Sequence, residues 1–78
     1  MNPLSAQAVI DVRDMQCAQV LAQVAQAMQR LASGAILELL CNADDVQEDV
    51  IAWAKQLRHH VLGAEACDGD TWLRIQKR

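Results

Sequence analysis

The apolar residues of this 78-residue chain switch back and forth between a two-residue and a roughly 3.6-residue period, and that alternation constrains the fold more than any single residue does. Residues 8–12, Ala-Val-Ile-Asp-Val, are β-branched, short and bounded by charge, which predicts a strand with Ile10 and Val12 on one side and Val9 and Asp11 on the other. From Cys17 the pattern turns helical. Leu21, Val24, Ala25, Met28 and Leu31 fall on one face, while Gln19, Gln23, Gln26 and Arg30 fall on the other. The spacing predicts a helix over 17–32, stopped by a left-handed residue at Gly34. Residues 35–41 predict a second strand, with Leu37, Leu39 and Cys41 opposite Glu38. Asp45 and Glu48 have capping-box spacing at the head of a second helix striped by Val46, Val50, Trp53 and Leu57. Strands follow at 60–67 and 71–77, joined by Asp68-Gly69-Asp70, and Asp-Gly between two strands is a strong hairpin signal. Residues 1–7, with Pro3 and Ser5, read as a loose lead-in.

The resulting order is βαβαββ. Its first unit is expected to be parallel and right-handed, with both helices on one face of a four-stranded sheet, an α/β two-layer sandwich. One domain, 1–78 with its core at about 8–77, accounts for the length. The hydrophobic fraction of 53% overstates the core, because thirteen of those residues are alanine and there is no Phe or Tyr. Leu, Val, Ile, two Trp and three Met suffice for one two-layer core of modest stability.

Several classes of function are set aside by the same composition. The net charge is −3, and the Lys and Arg residues are scattered apart from Arg74, Lys77 and Arg78, so direct nucleic-acid binding is not expected. No apolar run approaches the roughly 18 residues of a membrane span, and the first residues lack a signal-peptide pattern. A cytoplasmic location is expected, where three widely spaced cysteines stay free thiols. There is no C-x-x-C pair, and the adjacent His59 and His60 point to opposite sides of a strand, so no metal site is expected. No glycine-rich phosphate loop is present either, so no cofactor is expected.

Cys17 stands after a strand and at a helix start, where unpaired N–H groups and the helix dipole favour a thiolate. A thiolate attacks a sulfur atom or accepts one as a persulfide. The other reading of the spacing is that Cys17 simply continues the Leu21–Val24–Met28 stripe into the core. Cys41 is expected to be buried, and Cys67 to lie on the sheet face away from the helices. Asp44, Asp45, Glu48 and Asp49 cluster where acids stabilise a helix dipole. The open face of the sheet is expected to carry Val9, Ile36, Leu40, Val61 and Trp72, with Asp11, Glu38, Glu65 and Arg74 between them. Such a half-apolar face marks a surface for a partner or a homodimer, with Trp72, Ile36 and Leu40 at its centre.

Asp11, Cys17, Leu31, Gly34, Asp44-Asp45, Asp49-Val50, Trp53-Ala54, Arg58-His59-His60-Val61, Glu65, Asp68-Gly69 and Lys77 occur in an order and spacing that resemble the TusA/SirA-like sulfur-carrier family. The resemblance runs over roughly residues 8–77. It implies a βαβαββ sandwich with a mixed sheet, and a sulfurtransferase-type carrier at most rather than an enzyme in the strict sense. Cys17 would accept a sulfane sulfur as a persulfide and pass it between sulfur-donor and sulfur-acceptor proteins. Family outlets include transfer-RNA thiolation, molybdenum-cofactor metabolism and sulfur oxidation. Asp11, Arg13 and Asp14 would support the site. The chain reads Cys17-Ala18-Gln19-Val20 where the family has Cys-Pro-x-Pro, and Asp14 where the family usually has glycine. Proline presets φ at a helix start, and a negative charge at Asp14 is expected to raise the thiol pKa. A second reading follows, a binding or regulatory module that kept the fold and lost persulfide chemistry.

Overall fold

The computed structural model describes residues 6–78, so the first five residues of the expected lead-in, with Pro3 and Ser5, lie outside the described residues. The elements are β1 (Ala8–Asp11), α1 (Cys17–Gln29), β2 (Ile36–Cys41), α2 (Asp44–Gln56), β3 (His60–Cys67) and β4 (Asp70–Gln76). The βαβαββ order read from the periods is the observed one. The sheet runs β1-β2-β4-β3, with β1 parallel to β2 and β4 antiparallel to both of its neighbours. It is therefore mixed, and the hairpin folds back so that β4, not β3, lies beside β2.

Both helices cover one face. Leu37, Leu39 and Cys41 of β2, and Leu73 and Ile75 of β4, form the floor of the core. Val20, Val24 and Met28 of α1 and Val46, Val50 and Ala54 of α2 close over it. Each helix buries a line at i, i+4, i+8, narrower than the stripe the spacing suggests. Leu21 and Leu31 flank that line half-buried. On α2 the difference is larger. Ala54 is fully buried, while Trp53 and Leu57, the C-cap residue just past the helix, stand on the flank. Leu57 is 45% exposed, contrary to its place on the expected stripe, and Trp53 is half-buried against His59, ring centroids 5.6 Å apart.

Two local expectations are corrected. The second helix begins at Asp44 with Ala43 as its N-cap, so Asp45 and Glu48 form no capping box. Asp45 Oδ1 instead accepts the Val46 N–H at 2.9 Å. On β3 the register shifts between Val61 and Gly63: Val61 pairs with Ile75 but Gly63 pairs with Arg74. This bulge inserts Leu62, reverses the alternation, and turns Val61 onto the core face instead of the open face. Beyond it Glu65 and Cys67 pair with Trp72 and Asp70 and point outward, as the alternation predicts.

Candidate functional site

Parallel β1 and β2 end at the same edge of the sheet, so the connections to α1 and α2 leave side by side and the two helix heads are neighbours. Cys17 is the first residue of α1, after the N-cap Gln16. Its side chain is half-buried, packed against the core at one side and reaching solvent at the other. The residue stands beside the buried line of Val20, Val24 and Met28 and still opens to solvent at the helix start.

The second helix supplies what faces the thiol. Asp45 Oδ2 lies 3.9 Å from Cys17 Sγ, within reach of the S–H, and Asp49 stands one turn further along. The thiol pKa is pushed up to about 11, first by hydrogen bonding to Asp49, then by burial, then by the charges of Asp49 and Asp45. Both carboxylates face the thiol: Asp45 makes the 3.9 Å contact, and Asp49 contributes more to the upward shift. The N–H of Cys17 itself acts the other way, as a helix start should, and is outweighed. The rise expected from sequence is present, but its source is α2 and not Asp14.

Asp14 does something else. Its φ is 62°, the left-handed region that glycine occupies most easily and that Asp tolerates better than most residues. Its N–H donates to Asn42 Oδ1 at 3.1 Å, and Asn42 Nδ2 donates to Asp14 Oδ1 at 2.9 Å. Arg13 reaches in another direction. Its guanidinium donates to both carboxylate oxygens of Asp11, at 3.0 and 2.8 Å, and to Asp70 Oδ2 at 3.1 Å. The Arg13 hydrogen bonds hold the Asp11 carboxyl below the usual range, and the Arg13 pKa rises in turn. Arg13 therefore straps the end of β1 to the start of β4, and none of its hydrogen bonds goes to Cys17. Among the described residues no group of three His, Cys, Asp or Glu side chains is arranged to hold a metal ion.

The family model described as sulfurtransferase TusA matches residues 8–77, nearly the whole chain. The chain belongs to the TusA family. No curated protein matches it. TusA membership points to a sulfur-carrier role with sulfur-transfer partners, and no helix among the described residues is long and apolar enough to cross a membrane.

The remaining residues expected at a site lie away from the helix heads. Trp72 and Leu40 pair across β4 and β2 on the open face and are half-buried. Ile36 is 4% exposed, so it offers almost no surface of its own. Glu38 and Arg74 pair across the same strands and bridge at 2.8 Å. Trp72 and Arg74 also line a shallow hollow of about 400 Å³ with Leu62, Gly63, Ala64 and Glu65. Cys41 is buried and Cys67 is exposed, as the alternation predicts.

Asp49 and Asp45 are the site residues that sequence reasoning missed as neighbours of Cys17. The signal was available in the topology, since a parallel βαβ followed by another helix sets two helix N-termini together.

Proposed function

We propose that this TusA-family chain is a sulfur relay that carries a sulfane sulfur on Cys17. The observation that supports it best is a half-exposed thiol at the first residue of α1, at the position where the family resemblance puts the sulfur acceptor. Cys17 loses its proton, and its sulfur attacks the outer sulfur of a donor persulfide R–S–SH. A Cys17–sulfur bond forms as the donor's S–S bond breaks, and the R–S⁻ leaving group takes up a proton. No net oxidant or reductant is needed. An acceptor thiolate removes the outer sulfur from Cys17 by the same exchange. Such a relay works where thiols stay reduced, which fits a cytoplasmic setting.

The raised pKa makes the resting thiol slow but not inert. A rise of about two units lowers the thiolate fraction roughly 100-fold, while the stronger nucleophile regains about six- to tenfold, leaving a net loss of about tenfold. A second reading, a binding module without persulfide chemistry, is favoured by the same two carboxylates, which oppose the reactive form.

Intact-mass measurement after exposure to a persulfide donor separates the two. The relay gains about 32 Da, one sulfur atom, removable by a thiol reductant and absent in Cys17→Ser. No gain, or a gain that survives Cys17→Ser, leaves the binding module as the better description.

A further inference from the structure

The loop that brings Cys17 to its helix is tied to the head of α2 through two side chains. Asp14 and Asn42 exchange two hydrogen bonds, one from the Asp14 backbone and one from the Asn42 amide. Asn42 lies between the end of β2 and Ala43, the N-cap of α2. The clasp therefore joins the two connections whose helices carry, respectively, Cys17 and the carboxylates of Asp45 and Asp49. Apart from the contact of the thiol with Asp45, it is the one hydrogen-bonded link between the β1–α1 and β2–α2 connections among the described residues.

Within α1 the start is held by a Gln16–Gln19 capping box. The Gln16 N–H reaches Gln19 Oε1 at a long 3.3 Å, and the first turn has no acidic residue. Ala18 sets no φ, and the Val20 N–H makes an ordinary helical bond to the Gln16 carbonyl at 3.0 Å. A rotation of the first turn would swing Cys17 Sγ away from Asp45 and Asp49, and the Asp14–Asn42 pair adds a tie to the head of α2 that the capping box does not supply. Asp14 holds its φ of 62° while paired to Asn42.

We propose that Asp14 and Asn42 are positioning residues for Cys17: their clasp, in place of a proline, fixes the start of α1 against the head of α2 and sets how close the thiol stands to Asp45 and Asp49. This rests on the reading of Cys17 as the working thiol. The carboxylates act on the thiol only while the two helix heads stay in register, so the clasp governs how readily the thiol ionises. The charged groups facing Cys17 are those of α2; the Asp14 carboxylate acts on it through position and not through charge.

The experiment is the pH profile of Cys17 alkylation by iodoacetamide, with no sulfur donor present, mapped by mass spectrometry. Buried Cys41 is the control for global unfolding. Asn42→Ala removes both bonds of the clasp, whereas Asp14→Gly removes the Asn42 amide bond and keeps the backbone one, and glycine adopts the required φ freely, so the loop keeps its path. Asn42→Ala is expected to move the Cys17 midpoint downward by about one unit and to speed labelling at pH 7.5 about threefold, and Asp14→Gly to shift it the same way by less, with Cys41 still protected. Asp14→Asn, which can accept the same Asn42 bond, is expected to keep the wild-type profile. Unchanged midpoints in Asn42→Ala and Asp14→Gly would overturn the proposal. So would equal shifts in Asp14→Asn and Asp14→Gly, which would assign the effect to charge, or a wild-type midpoint at the ordinary thiol value. Failure of wild type to take up sulfur defeats the relay and leaves this result standing, because alkylation needs no donor.

Discussion

The two ends of the sandwich carry opposite charge. Every acidic side chain except Glu38 and Glu65 lies in the first half of α2, at the end of β1, in the adjoining connections or at the hairpin turn. Arg30, Lys55, Arg58, Lys77 and Arg78 gather at the other end, where the helices finish, β3 begins and β4 ends. Each end also holds a titratable group whose charged form its neighbours disfavour. At the acidic end, Asp49 and Asp45 keep Cys17 a thiol. At the basic end, His59 packs at a tilt against Trp53, accepts the Arg78 N–H on Nδ1 at 3.1 Å, and has its pKa lowered by burial and then by Arg78, Lys77 and His60. The arrangement suits α2, with Asp44 and Asp45 in its first turn and Lys55 in its last. It acts on the two titratable groups in opposite directions and leaves both neutral. The net charge of −3 conceals this, because the sum says nothing about placement.

The largest effect is expected at the basic end. Trp53→Ala should cost about 2 kcal/mol in urea unfolding, below the roughly 3–5 of a fully buried ring, because Trp53 stands on the flank of α2 and not on its buried line. A loss below about half a kcal/mol would mean that the Trp53–His59 contact contributes little and that this end is held by the β-strands alone.

Neutralising the acidic end should act on the thiol more than on the fold. Asp45→Asn with Asp49→Asn is expected to bring the Cys17 midpoint down from about 11 toward its ordinary value and to speed alkylation at neutral pH about tenfold. Lys55→Gln, at the far end, should leave the Cys17 profile in place. The sign for stability follows from the same shift. Because the folded thiol binds its proton more tightly than the unfolded one, its contribution is full below the ordinary thiol value near 9 and is lost as pH rises toward about 11. The double variant should flatten that alkaline loss.

The smallest effect sharpens the contrast from the other side. His59 has a lowered folded pKa, so its contribution is present above the unfolded value of about 6.5 and is lost as pH falls through the folded one. Urea midpoints followed from pH 8 to pH 5.5 should decline for wild type and decline less for His59→Gln. Equal declines would show that His59 is not held neutral by its surroundings.

Much of this was legible in the chain. The alternation of Val9, Ile10, Asp11 and Val12 and of Leu37, Glu38 and Leu39 assigned strands and faces, because a side-chain period of two is a local property of extended backbone. The helical stripes of α1 and α2 and the Asp68-Gly69 turn were local in the same sense. The buried Cys41 and the exposed Cys67 followed from alternation alone. Where a local rule was broken by pairing, reading failed. Val61 turned inward because β3 bulges between Val61 and Gly63, and Leu57 is exposed where α2 has already ended, as its C-cap. The candidate site divides the same way. Sequence determined that a cysteine opens α1 and that acids open α2, since both are statements about neighbours along the chain. Tertiary structure decided that those acids face that cysteine and that Asp14 meets Asn42. Residues 28 positions apart are brought within hydrogen-bond reach only when parallel β1 and β2 deliver both helix heads to one edge of the sheet.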